Sequence, residues 1–63
     1  MAIKLFQQSN TQSLEELETE INDWITTEGA GVNSIYISNI AVPVGNKNKF
    51  KALTTIGIDW ELL

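Results

Sequence analysis

The chain has 63 residues, 43% of them hydrophobic, a formal net charge of −4 at pH 7, and neither histidine nor cysteine. A domain of this size buries only about 60% of the surface that its unfolded chain exposes, so we expect marginal stability unless the chain assembles. Without cysteine and histidine, disulfides and thiolate or imidazole metal sites are excluded.

The charge pattern argues against nucleic-acid and membrane partners. All cations are lysines and the balance is acidic, whereas phosphate binding needs a basic surface and is usually read by arginine. No charged leader precedes an apolar segment, and no apolar run approaches the ~20 residues that span a bilayer. We therefore expect a cytoplasmic protein that binds neither nucleic acid nor membrane.

The first segment, Ala2 to Gln7, alternates in a way that predicts a short strand. Ile3 and Leu5 lie on one side, which we expect to be the buried one. Lys4 and Phe6 lie on the other side, so Phe6 is predicted to reach the outer face of the sheet.

A helix is predicted to follow the polar turn after this strand. Ser13 and Glu16 have the spacing of a capping box, and Gly29 provides a left-handed stop. Apolar residues recur at three- and four-residue intervals between these signals: Leu14, Leu17, Ile21, Trp24 and Ile25. We expect Trp24 and, on the last strand, Trp60 to lie in the core.

The second strand, Val32 to Val44, is rich in β-branched residues. Its apolar positions change parity between Ile37 and Ile40, which predicts a β-bulge at Ser38-Asn39. A three-residue turn, Gly45 to Lys47, would lead into the third strand, Lys49 to Leu63. The predicted pairs are then Val42 with Phe50, Ile40 with Ala52, Ile37 with Thr54 and Ile35 with Ile56.

These elements predict an α+β fold of order β-α-β-β, with one helix against a three-stranded antiparallel sheet of spatial order 1-3-2. Pro43 then lies on an edge strand, where its missing amide hydrogen is tolerated. The helix spans roughly 24 Å and the second strand over ~40 Å. The apolar hairpin end therefore needs a strongly bent sheet, a second subunit, or both; it comprises Ile40, Val42, Val44 and Phe50.

The chemistry of the chain argues against an enzyme. The common general base, the thiol nucleophile and zinc ligands are missing, and serines without a base are inert. The segment with Gly29 and Gly31 lacks the context of a dinucleotide site, so no cofactor is predicted.

Two clusters of charged residues each have a structural and a functional interpretation. The acidic helix side chains form a solvated face, dock a basic partner, or hold a divalent cation loosely, without the spacing of a calcium loop: Glu15, Glu16, Glu18, Glu20 and Asp23. Lys47, Lys49 and Lys51 protect the hairpin tip from aggregation or contact an acidic patch.

The predicted outer face carries an apolar patch in an otherwise polar setting. The register places Tyr36 opposite Thr55, Ser34 opposite Gly57, and the bulge opposite Leu53. The candidate interface or ligand platform is Phe6, Tyr36, Leu53, Thr55 and Gly57. It could be local packing of an aromatic over glycine, a subunit interface, or a small-molecule platform with Tyr36 as a stacking surface.

Four short blocks, "IKLF", "LETEINDWI", "SIYIS" and "FKALTTI", resemble a family of small sporulation-associated bacterial proteins. That family has no established activity to carry over. The element order and size also resemble dodecins, flavin-binding proteins with a curved sheet that assemble into hollow dodecamers. Their flavin-holding tryptophan and glutamine correspond here to Tyr36 and Thr55, so no flavin site is transferred. The resemblance implies a sheet strongly curved around the helix and a tendency to assemble.

Together these patterns predict a self-assembly or protein-interaction module that acts through the outer sheet face, as a homo-oligomer or with a protein partner. The alternative is a dodecin-like protein that binds or stores a small, flavin-type molecule.

Overall fold

The computed structural model describes residues 2–45 and 48–63. It contains β1 (Ala2–Gln7), α1 (Leu14–Glu28), β2 (Ala30–Pro43) and β3 (Phe50–Leu62). Strand β3 lies at the centre and pairs antiparallel with both neighbours, which gives the order β1-β3-β2. The predicted α+β fold and strand order are confirmed. In the part of the chain that is described, no helix is long and apolar enough to cross a membrane.

Both ends of α1 are formed as the sequence predicts. The Glu16 amide donates to Ser13 Oγ and the Ser13 amide donates to Glu16 Oε1, each over 3.1 Å. Gly29 adopts φ 64° and its amide donates to the carbonyl of Ile25. The left-handed conformation there is one that glycine adopts without steric cost.

An aromatic and aliphatic core joins α1 to β1 and β3. Phe6, Leu17 and Ile58 are buried, and Ile58 is 0% exposed. The Trp24 ring lies edge-on between two aromatic rings, with centroid distances of 5.5 Å to Phe6 and 5.0 Å to Trp60. Both tryptophans lie on the inner side of the sheet, as predicted, and pack half-buried against this core.

The predicted orientation of β1 is wrong. Phe6 pairs with Ile56 and faces the helix, whereas Ile3 and Leu5 lie exposed on the outer face. Both faces of this short strand are partly apolar, so alternation alone does not determine which one is buried. The large Phe6 ring fills the space beneath Trp24, and that packing decides the orientation.

The predicted bulge is also misplaced. The register shifts between Val32 and Ser34, so that Asn33 is the extra residue, and pairing is regular from Ser34 to Pro43. This bulge keeps Val32, before it, and Ile35, after it, on the helix face. The parity change between Ile37 and Ile40 is a real change of face.

The hairpin connection explains the remaining register error. The Val44 amide donates to the Lys49 carbonyl over 2.9 Å, so the connection runs from residue 45 to 48. It is longer than the predicted turn Gly45 to Lys47, of which Asn46 and Lys47 lie outside the described residues. This moves the partner of Ile40 by one residue, from Ala52 to Leu53. Together with regular pairing at Ser38-Asn39, it moves the partner of Ile37 by two residues, from Thr54 to Ile56.

The hairpin projects beyond the helix. The longest dimension of the Cα trace is 47 Å. This is close to the ~43 Å that the 13 residues of β3 span when extended, and about twice the ~22 Å length of α1. Near the projecting end, Ile40, Val44 and Phe50 are exposed, as the length mismatch predicts, whereas Val42 is half-buried.

Replacing Ser13 with alanine tests the capping box. We expect a loss of about 1 kcal/mol, or a melting temperature lower by roughly 4–8 °C, because the first-turn amides lose their acceptor. Thermal unfolding followed by circular dichroism measures it. Ser9→Ala is the control, since Ser9 is hydrogen-bonded through its backbone; an equal shift in both variants would contradict the cap.

Replacing Ile58 with valine tests the core. Removing one methylene group from this fully buried site should lower the free energy of unfolding by about 0.5–1.5 kcal/mol. Ile3→Val makes the same change at an exposed position and should alter it far less. Urea titration compares the two, and similar losses would show that Ile58 is not the core residue described.

Candidate functional site

On the face of the sheet that carries the helix, α1 leaves strand β2 uncovered. Its core side chains pack on β1 and β3, through Phe6, Ile58 and Trp60. Strand β2 carries Ile35 and Ile37 on the same face, and these side chains are 56% and 67% exposed. Isoleucine is among the residue types that are most often buried, but these two side chains on β2 are not.

An open groove of about 310 Å³ runs between the flank of α1 and strands β2 and β3. Its lining is largely aliphatic: Leu14, Leu17, Ile21, Ile25, Ile35, Ile37, Ile56 and Ile58, with Glu18, Asn22 and Thr54. We call this surface the groove. The apolar pattern of the sequence predicts the helix stripe and the strands that carry these residues, but not that they border an open surface.

The outer face carries a second apolar surface, the outer patch, formed by Ile3, Leu5, Tyr36 and Gly57. Tyr36 and Leu5 both lie opposite Gly57, from the two neighbouring strands. A Cβ atom on Gly57 would lie 3.3 Å from Leu5 Cδ2 and 3.8 Å from Tyr36 Cβ. The glycine thus lets these two side chains approach each other across the central strand.

The structure places four of the five predicted platform residues on the outer face. Tyr36 and Gly57 are direct neighbours there, instead of pairing with Thr55 and Ser34 as predicted. Leu53 faces the same side but is only 7% exposed, which leaves little of it for a partner. Phe6 is on the helix face and does not belong to this surface.

Thr55 lies on the outer face beside β1, and its hydroxyl donates to the Gln7 side-chain oxygen. The outer patch contains Ile3 and Leu5, for which the sequence predicts the buried face. Their alternation with Lys4 and Phe6 is the sequence signal for this face, but it does not indicate which of the two sets is buried.

The acidic side chains of α1 and the lysines near the hairpin tip lie at the surface, as far as they are described. The acidic side chains of α1 are exposed, and Glu20 accepts a hydrogen bond from Gln12 over 3.0 Å. Lys51 Nζ donates to the Asn10 carbonyl and Lys49 is exposed, while Lys47 lies outside the described residues. Within residues 2–45 and 48–63, no group of acidic side chains is arranged to hold a metal ion.

Asp59 is an unusual member of the outer face. It pairs with Ile3 and Ser34, is 8% exposed, and its Oδ1 atom has no hydrogen-bond partner among the described residues. A buried polar atom without a partner costs about 1–3 kcal/mol of stability. In the sequence, Asp59 alternates with Ile58 and Trp60 as a solvent-facing carboxylate would, so the pattern does not signal its burial.

Replacing Asp59 with valine should therefore raise the free energy of unfolding, by about 1 kcal/mol, because valine suits a covered strand position and needs no hydrogen bond. Urea titration at low protein concentration measures the change. Glu61→Val alters an exposed carboxylate on the same strand and should stay within about 0.5 kcal/mol of the wild type. A destabilised Asp59→Val variant would show that the carboxylate has a stabilising partner.

Comparison with known proteins gave no match: no family model, no curated protein and no solved structure is similar to this chain. The resemblances to sporulation-associated proteins and to dodecins therefore stay predictions. The groove, the outer patch and strand β2 are the surfaces on which the proposed function rests.

Proposed function

We propose that this protein is an interaction module that assembles with itself or with another protein through β2 and the apolar surfaces beside it. One observation carries the proposal: β2 exposes large apolar side chains on both faces of the sheet. Ile35 and Ile37 lie exposed on the helix face, and Tyr36 and Ile40 are 61% and 47% exposed on the outer face. Contiguous exposed apolar residues of this kind mark interaction sites.

The magnitudes support this interpretation. Covering a side chain that is about half exposed contributes on the order of 1 kcal/mol, so four of them contribute about 4 kcal/mol. A domain of this size has a total stability of only about 3–9 kcal/mol. Assembly through β2 would thus supply stabilisation comparable with that of the isolated fold.

The projecting hairpin points to the same function. Phe50 and Val44 are exposed at the end that α1 does not reach, and they extend the uncovered apolar surface along β2. A partner that follows the length of the strand would cover this end as well. The sequence predicts an interface on the outer face of the sheet. The proposed interface also includes the helix face and the free edge of β2.

A second candidate function is the binding or storage of a small apolar or flavin-type molecule, as the dodecin resemblance implies. The groove supports it, since about 310 Å³ is at the lower limit of ligand pockets. A ligand there would leave Tyr36 and Ile40 exposed, and for that reason assembly is the leading proposal. Native mass spectrometry of protein purified without denaturation would detect a bound molecule.

We further propose a cytoplasmic, non-enzymatic role without a cofactor. The sequence supplies no histidine or cysteine for acid-base or nucleophilic chemistry.

Replacing Ile37 with threonine tests the proposed function. Ile37 is mostly exposed in the single chain, so the change should leave the fold intact but weaken association about tenfold or more. Sedimentation velocity over a concentration series measures association. Leu63→Thr is the control because it also replaces an aliphatic side chain with threonine, at a position that is 95% exposed and lies outside the groove and the outer patch.

A wild-type chain that sediments as a monomer throughout and captures no protein partner would contradict the proposed function. Equal weakening by both variants would indicate nonspecific association of apolar side chains.

A further inference from the structure

The free edge of β2 is unguarded over most of its length. Edge strands are usually protected from pairing with other chains by charged residues, prolines or bulges. The strand, AGVNSIYISNIAVP, contains no charged residue. Its only protective features are the bulge at Asn33 and Pro43, and they lie towards its two ends. The regular segment between them, residues 34–42, is open to another strand.

The hydrogen-bond pattern shows which backbone groups face that edge. The Val44 amide donates towards β3, to the Lys49 carbonyl. Backbone groups of an antiparallel strand alternate in direction, so the odd-numbered residues of this segment point away from β3. Their free amides and carbonyls belong to Ile35, Ile37, Asn39 and Ala41. Pro43 falls in the same set, so its missing amide hydrogen does not disturb the pairing with β3.

Two identical segments of this kind can pair about a two-fold axis. The midpoint between Asn33 and Pro43 is Ser38, and a two-fold axis there places the bulge of one copy opposite the proline of the other. Ile35 then lies opposite Ala41 of the second copy, and Ile37 opposite its Asn39. Each of these pairs brings together residues with free edge groups, which gives about eight main-chain hydrogen bonds in all.

We propose that two copies of this chain join antiparallel through β2 about a two-fold axis at Ser38, which forms one continuous six-stranded sheet with both helices on the same face. The inference rests on the proposed function and specifies a second copy as its partner. On the outer face, Tyr36 of each copy lies opposite Ile40 of the other. Aromatic and β-branched residues are favourable cross-strand neighbours.

A second copy fits better than a ligand or a helix in the groove. Those occupants would cover Ile35 and Ile37 alone, whereas an added strand covers side chains on both faces of the sheet. The absence of charge on β2 also matters, because self-pairing places a segment against itself and would bring like charges together.

The edge is long but only one sheet layer thick. The open segment is about 30 Å long and a single sheet layer is about 10 Å thick, so each copy offers roughly 300 Å². A pair that buries about 600 Å² has the size of a weak, transient interface. We expect association in the high micromolar range, which sedimentation measures.

A cysteine at the proposed axis tests the register. Ser38 faces its own copy in a non-hydrogen-bonded pair with a Cα separation of about 4.5 Å, within the range for a disulfide. Ser38→Cys should form a disulfide-linked dimer under mild oxidation, and the chain has no native cysteine to compete. Ser34→Cys is the control, because the two copies of residue 34 lie about 26 Å apart in this register.

A proline on the free edge tests the pairing itself. The Ala41 amide points away from β3, so Ala41→Pro should leave the monomer folded but weaken the dimer at least about tenfold. Ala41→Val keeps the amide and serves as the control. Circular dichroism verifies folding, and sedimentation velocity measures the dissociation constant.

The possible outcomes separate this inference from the proposed function. If wild type associates but Ala41→Pro associates equally well, or if both cysteine variants cross-link alike, the β2 pairing is wrong while assembly through another surface stands. If Ala41→Pro unfolds, the Ser38→Cys and Ser34→Cys comparison decides the register alone. A wild-type chain that is monomeric up to millimolar concentration overturns the self-pairing, and partner capture then decides the proposed function.

Discussion

The insertion of Trp24 between Phe6 and Trp60 fixes the position of the helix over the sheet. Phe6 belongs to β1 and Trp60 to β3, so this contact holds α1 over those two strands. A single helix is about 10 Å wide and cannot also cover a third strand fully. The exposure of β2, the groove beside it and the uncovered hairpin all follow from this one packing arrangement.

The bulge at Asn33 and the residue pattern after it determine what the uncovered strand presents. The bulge keeps the apolar residues before and after it on the helix face, and beyond Ile37 the apolar positions change to the outer face. The uncovered part of strand β2 therefore carries apolar side chains on both faces of the sheet. That property distinguishes it from an ordinary edge strand, which has one wet face and charged residues along it.

The outer face shows how a small residue can organise a surface. Gly57 leaves room for Leu5 and Tyr36 to approach across β3. Asp59, two residues along the same face, is buried with an unpartnered oxygen atom. The buried carboxylate of Asp59 thus lowers the stability of the fold, while the neighbouring Gly57 position forms an apolar surface suited to contact.

The sequence by itself determined the element types, the helix caps, the strand order and the length mismatch, because these depend on local spacing, capping chemistry and chain length. The faces of β1 and the pairing of β2 with β3 were decided only by tertiary structure. Phe6 and Leu5 both satisfy alternation, and the choice between them depends on which side chain fits beneath Trp24. The extra residue at Asn33 and the longer hairpin connection together set the pairing of β2 with β3, and the apolar pattern locates neither of them. Regular pairing through Ser38 and Asn39 puts Ile40 on the outer face, whereas a bulge there would turn it to the helix face.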